Sequence, residues 1–201
     1  MNLDALKDFL AHDSPRFTCK AEPDGVNHGE YTALVEHRGT SPAGDDVQAM
    51  VGGLDQLVEF FSTFGSLRLY CDTNSSSSAF YFAKPSEWPQ LQQEFLSWIK
   101  MLGADKEQQL PDWTETAVVF GEIPETGNYL MMPRAGADAG KVFLFDHETC
   151  DFEEEAADLG SYIEAVTTPG DALYRKIRSH TRYSDGESAT QWLVQEYSPG
   201  A

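Results

Sequence analysis

Three short apolar stretches sit close together in the middle of the chain: Thr116 to Ile123, Asn128 to Met132 and Lys141 to Phe145. The joints between them, Pro124-Glu125-Thr126-Gly127 and Arg134 to Gly140, are too short for a helical crossover. Strands joined this way are antiparallel neighbours. A sheet built from such neighbours needs helices laid on it to bury its apolar face.

The rest of the sequence supplies both. Leu67, Leu69 and Cys71 alternate with Arg68, Tyr70 and Asp72, which predicts a half-buried strand. Ala79 to Ala83 reads as its antiparallel partner, across a loop of Asn74 and four serines. Phe17 to Ala21 and Glu30 to Glu36 read as two more strands, around the turn signal Glu22-Pro23-Asp24-Gly25. His37 to Asp46, with Gly39, Pro42 and Gly44, reads as loop.

Helices are expected at residues 3–10, where Leu3, Leu6 and Leu10 share a side, and at 54–61, with Gly65 as the C-terminal cap. Residues 87–102 form the clearest helix. Ser86 is the expected N-cap, Pro89 lies in the first turn, and Trp88, Leu91, Phe95, Trp98, Ile99 and Leu102 form one apolar face ended by Gly103. Leu159, Tyr162, Ile163 and Val166 predict another helix. Thr168-Pro169-Gly170-Asp171 resembles a cap with Pro at the first helical position, ahead of Leu173 and Ile177. Asp185 is expected to cap a last helix carrying Ala189, Trp192, Leu193 and Tyr197. The expected fold is α+β, a mostly antiparallel sheet with helices packed against it in a single domain. Residues 1–52 read as an N-terminal helix and β-hairpin extension on a core of residues 53–201.

Charge narrows the function. The 201 residues hold 33 Asp and Glu against 14 Lys and Arg, a net charge of −19. A phosphate-binding surface needs the opposite sign, which argues against nucleic acid as partner. No apolar run approaches the roughly 20 residues that span a bilayer, and the N-terminus has neither the basic nor the apolar region of a secretory signal. Three widely spaced cysteines, Cys19, Cys71 and Cys150, suggest reduced thiols in a cytoplasmic protein.

The acid is concentrated. Asp146, Glu148, Asp151, Glu153, Glu154, Glu155 and Asp158 crowd one stretch, and no Lys or Arg occurs between Lys141 and Arg175. Acids just before or within a helix's first turn are favoured by the helix dipole, which is one reason for Glu153 to Glu155. Solvation is the plain reading of such a run. A docking surface for a basic partner is the functional one, with these seven residues as binding candidates. The cations that follow, Arg175, Lys176, Arg178, His180 and Arg182, are expected to serve the acidic segment as an intramolecular partner.

Chemistry has few footholds. Asp146-His147-Glu148-Thr149-Cys150-Asp151 places several ligand types together, but no second Cys/His cluster stands at a zinc spacing, so no metal and no cofactor is expected. A Cys–His pair could draw on Cys19, Cys71 or Cys150 with His12, His28, His37, His147 or His180. No cysteine is marked as activated by a cation or a helix N-terminus. No Walker A, Gly-x-Gly-x-x-Gly or Gly-x-Ser-x-Gly pattern occurs.

Over residues 53–166 the order of features resembles the SUKH superfamily, which includes fungal cell-wall-assembly regulators and bacterial immunity proteins. The helix Leu54 to Gly65, the strand–turn–strand Phe120-Gly121-Glu122-Ile123-Pro124-Glu125-Thr126-Gly127-Asn128-Tyr129-Leu130, and Gly140-Lys141-Val142-Phe143-Leu144-Phe145-Asp146-His147-Glu148 carry the likeness, with Leu159 to Val166 as a closing helix. The family's first helix commonly begins Leu-Pro and ends Asn-Gly, whereas Gly53-Leu54-Asp55 and Phe64-Gly65 stand here. The resemblance implies an α+β protein that acts by binding, often by neutralising a toxin. The expectation is thus a non-catalytic cytoplasmic immunity-type protein, monomer or weak homodimer, that meets a protein partner such as a basic toxin domain through its acidic surface. The alternatives are a small hydrolase or transferase using Cys150 and His147, and a regulatory scaffold module.

Overall fold

Among the described residues, nine strands form one antiparallel sheet in the order β8-β7-β6-β5-β4-β3-β2-β1-β9. They are β1 (Arg16–Ala21), β2 (Glu30–Thr40), β3 (Ser66–Asp72), β4 (Phe80–Phe82), β5 (Val118–Ile123), β6 (Asn128–Met132), β7 (Val142–Asp146), β8 (Asp151–Ala156) and β9 (Trp192–Ser198). The helices are α1 (Leu3–His12), α2 (Val47–Val51), α3 (Asp55–Phe61), α4 (Trp88–Lys100), α5 (Leu159–Thr167) and α6 (Asp171–His180). This computed structural model describes residues 2–12, 16–21, 29–42, 44, 47–75, 77–102 and 109–198. The turn read at residues 22–25 and the helix stop at Gly103 lie outside them.

The fold is α+β, with helices on both faces of the sheet. Along one face the register aligns Arg68, Tyr81, Glu122, Tyr129, Phe145 and Phe152 across six strands. Helix α4 lies over the last of these, with Phe95 5.0 Å from Phe145 and 6.2 Å from Phe152. On the other face Phe82 takes Phe60 of α3 at 5.2 Å and Tyr162 of α5 at 6.0 Å. Both faces of β3 are therefore covered and its seven residues are nearly all buried, not half-buried as the alternation suggested.

Other expectations change as well. β2 runs on to Thr40, through residues read as loop, because residues 35–40 pair with β3 while residues 30–34 pair with β1. Gly65 caps nothing: α3 ends at Phe61, and Gly65 is needed because a Cβ there would sit 2.2 Å from the Ser41 carbonyl oxygen. A 3-10 turn, Pro85–Glu87, precedes α4, so Ser86 is not its cap. Gly170 is the N-cap of α6 and Asp171 its first residue, which leaves Pro169 outside.

The last element is a strand, not a helix. Asp185 accepts from the Glu187 and Ser188 backbone N–H groups, but this closes a turn, and residues 192–198 then pair with β1. Trp192 and Val194 are β formers, both buried, and their pairing with β1 outweighs the helical spacing of Ala189, Trp192 and Leu193. Laid flat, nine strands would hold β8 and β9 about 38 Å apart. Yet Lys176 of α6 contacts Glu155 of β8, and Arg178 on the same helix bonds Gln195 of β9. The sheet curls toward α6 until one helix touches both edges.

Candidate functional site

The acidic segment is a strand. Residues 151–154 alternate, with Asp151 and Glu153 to one side and Phe152 and Glu154 to the other, and a bulge at Glu155 breaks the alternation before Ala156. Phe152 is the anchor, 5.1 Å from Trp113 and 5.3 Å from Phe145. The helix-dipole explanation for Glu153 to Glu155 therefore fails: these residues form an edge strand, and the helix begins only at Leu159. Charge on an edge strand also deters stray pairing with other sheets.

The tight β7–β8 turn positions the first acids. Asp146 Oδ1 accepts from the Glu148 and Thr149 N–H groups at 2.8 and 3.4 Å. Cys150 adopts φ +58, and its N–H donates to the Asp146 carbonyl at 2.7 Å.

The seven candidate acids do not form one surface. Asp146 holds the turn. Asp158 caps α5 by accepting from the Ser161 N–H at 2.7 Å, and that bond holds its carboxyl below the usual range. Glu154 points to the α4 side, where Lys141 bonds it at 2.9 Å and bonds Asp138 at 2.9 Å. Glu155 points the other way, its side chain only 5% exposed, paired with Lys176. Glu148, Asp151 and Glu153 are left exposed at the sheet edge.

Four of the seven meet at one place. A cleft of about 480 Å³ lies between α6 and the ends of β6, β7 and β8, lined by Asp146, Glu148, Glu153 and Glu155 against Arg175 and Lys176. The expected intramolecular partnership is seen at Lys176, which pairs with Glu155. Burial pulls the Lys176 ammonium below its usual range against the attraction of Glu153, while the contact with Glu155 favours the charged form. Arg178 serves β9, and Arg182 bonds the Arg178 carbonyl at 2.8 Å. Asp158 lies elsewhere, in a cleft of about 550 Å³ between α1 and α5.

The Cys150–His147 arrangement is not that of a nucleophile and its base. The Cys150 thiol donates to the His147 carbonyl at 3.3 Å. His147 Nδ1 lies 2.8 Å from Asn128 Oδ1, and its ring packs on Trp98 at 5.1 Å. Burial pushes the Cys19 thiol up to about 12 and the Cys71 thiol up to about 11, so both stay protonated at neutral pH. Among the described residues no group of three or more His, Cys, Asp or Glu is placed to hold a metal ion.

His180, expected among the partners of the acidic segment, turns instead to β4. His180 Nδ1 lies 3.1 Å from the Ala79 carbonyl oxygen, and its ring meets Phe80 edge-on at 5.0 Å. Lys176 shares a helical side with Leu173 and Ile177, at i+3 from Leu173, and that spacing was the available signal. For β8 the signal was the single aromatic residue Phe152 within the charge run.

No family model, curated protein or solved structure compared with the chain matches it.

Proposed function

We propose that this chain is a non-catalytic binding protein that engages a basic protein partner through the acidic edge of its sheet. The observation that carries this reading is the placement of Glu148, Asp151 and Glu153, exposed on the β7–β8 turn and edge strand β8. Such an edge speeds encounter with a positive surface and discriminates against acidic ones. The likeness to the SUKH superfamily supports an immunity-type role. A toxin that grips phosphate needs a basic surface, and exposed carboxylates can occupy it. On this reading the protein works in a bacterial cytoplasm as a monomer or weak homodimer, with no cofactor and no turnover. The turn geometry around Cys150 favours binding over the hydrolase alternative.

The test is co-expression with the product of the neighbouring gene, followed by pull-down and a salt titration. Replacing Glu148, Asp151 and Glu153 together by Lys is expected to abolish capture, and added salt to weaken it steeply. Capture that survives the triple reversal sinks the acidic-edge reading.

A further inference from the structure

Helix α6 is held differently from its neighbours. It fully buries only Leu173 and Ile177, whereas α5 buries Leu159, Tyr162, Ile163 and Val166, and α4 buries Trp88, Leu91, Phe95 and Ile99. Its last turn borders two clefts, the one of about 480 Å³ described above and another of about 470 Å³ beside Ser77, Thr126 and Ser184, and Ser179 and His180 line both. Polar contacts supply much of the rest: Lys176 to Glu155 on β8, Arg178 to Gln195 on β9, and His180 to the Ala79 carbonyl. At its start, Pro169-Gly170 joins it to α5, and nothing lies within 4 Å of where a Gly170 Cβ would sit.

We propose that α6 is a strap that opens about Pro169-Gly170 while the sheet stays folded, and that the Lys176–Glu155 pair is what holds it shut. An element with few buried apolar side chains and many polar contacts belongs to the low-stability end of a fold. The second half of the inference rests on the acidic-edge reading. Lys176 occupies Glu155 as a partner's lysine would, so closure of α6 competes with a basic partner for Glu155 and Glu153. The strap is then an autoinhibitory contact, and a partner must displace it to reach the inner acids.

Amide hydrogen exchange on the full chain tests this. In the wild type, α6 amides are expected to exchange ahead of those in β3 to β7. Lys176→Met leaves Glu155 buried and unpaired, and α6 exchange should rise about tenfold with the strands unchanged. The double variant Glu155→Gln/Lys176→Met removes the pair without leaving a buried charge, so α6 should still exchange faster than in the wild type, and a wild-type rate overturns the pair as the latch. It also serves if the single variant does not fold. Exchange of α6 in step with the strands, in the wild type and the double variant alike, overturns the strap. A hexalysine peptide tests the competition: bound hexalysine should speed α6 exchange, and binding that leaves it unchanged overturns the autoinhibitory role. Hexalysine that does not bind at all counts against the acidic-edge reading, and the strap then stands or falls on the exchange of the protein alone.

Discussion

His180 shows how one side chain ties pH to folding. Burial lowers its pKa from 6.5 to about 4, with Lys176 acting in the same direction. The neutral ring donates from Nδ1 to the Ala79 carbonyl and lies edge-on to Phe80. Between pH 6.5 and 4 the unfolded chain holds a proton here that the folded chain does not. The stabilisation is therefore complete above pH 6.5 and is lost as pH falls toward 4. The full loss is on the order of 3 kcal/mol. Replacing His180 by Phe keeps a ring against Phe80 and removes the titration. Urea unfolding at a series of pH values should show a shallower acid slope for His180→Phe than for the wild type. Parallel slopes would mean that the imidazole is solvated.

At the scale of elements, contacts between distant segments decide what local pattern cannot. The strands β5, β6 and β7 were legible because short joints and apolar runs leave one arrangement. α4 was legible because six apolar residues share one face. β8 and β9 were not. In β8, four acids in six residues hide an alternation that only the single anchor Phe152 reveals. In β9, the partner is β1, at the other end of the chain, and no local signal points to it. The site follows the same division. The acids were visible as a run, but which of them are paired or committed to caps depends on Lys141 and Lys176 arriving from other elements.

Gly65 belongs to this scale too, because it lets the chain leaving α3 touch the end of β2. Its N–H donates to the Thr40 carbonyl at 2.7 Å. Gly65→Ala would drive a Cβ into the Ser41 carbonyl, and denaturant unfolding should report a loss of about 2–3 kcal/mol. An unchanged midpoint would show that the β2 end moves aside freely.

Over the whole molecule, a net charge of −19 makes the compact state repel itself. Few cations offset it at the acidic edge, where Lys141, Arg175 and Lys176 stand among the carboxylates of the β7–β8 turn and β8. Raising salt from roughly 0.1 to roughly 1 M shortens the Debye length from about 10 to about 3 Å. The melting temperature should rise by a few degrees over that range, more than the exposed ion pairs lose. A fall would show that local pairs outweigh the net repulsion.

The order of the sheet also bears on synthesis. β1 pairs with β2 soon after both have left the ribosome, yet its second edge is completed by Trp192 to Ser198, made about 170 residues later. Throughout elongation the nascent chain therefore carries an open strand edge on which Phe17 and Cys19, buried in the finished fold, have no cover from β9. Closure of the sheet is a late, non-local step of the kind that slows folding. Pairing of Trp192 to Ser198 with β1 thus covers a strand edge that would otherwise stand open to other strands.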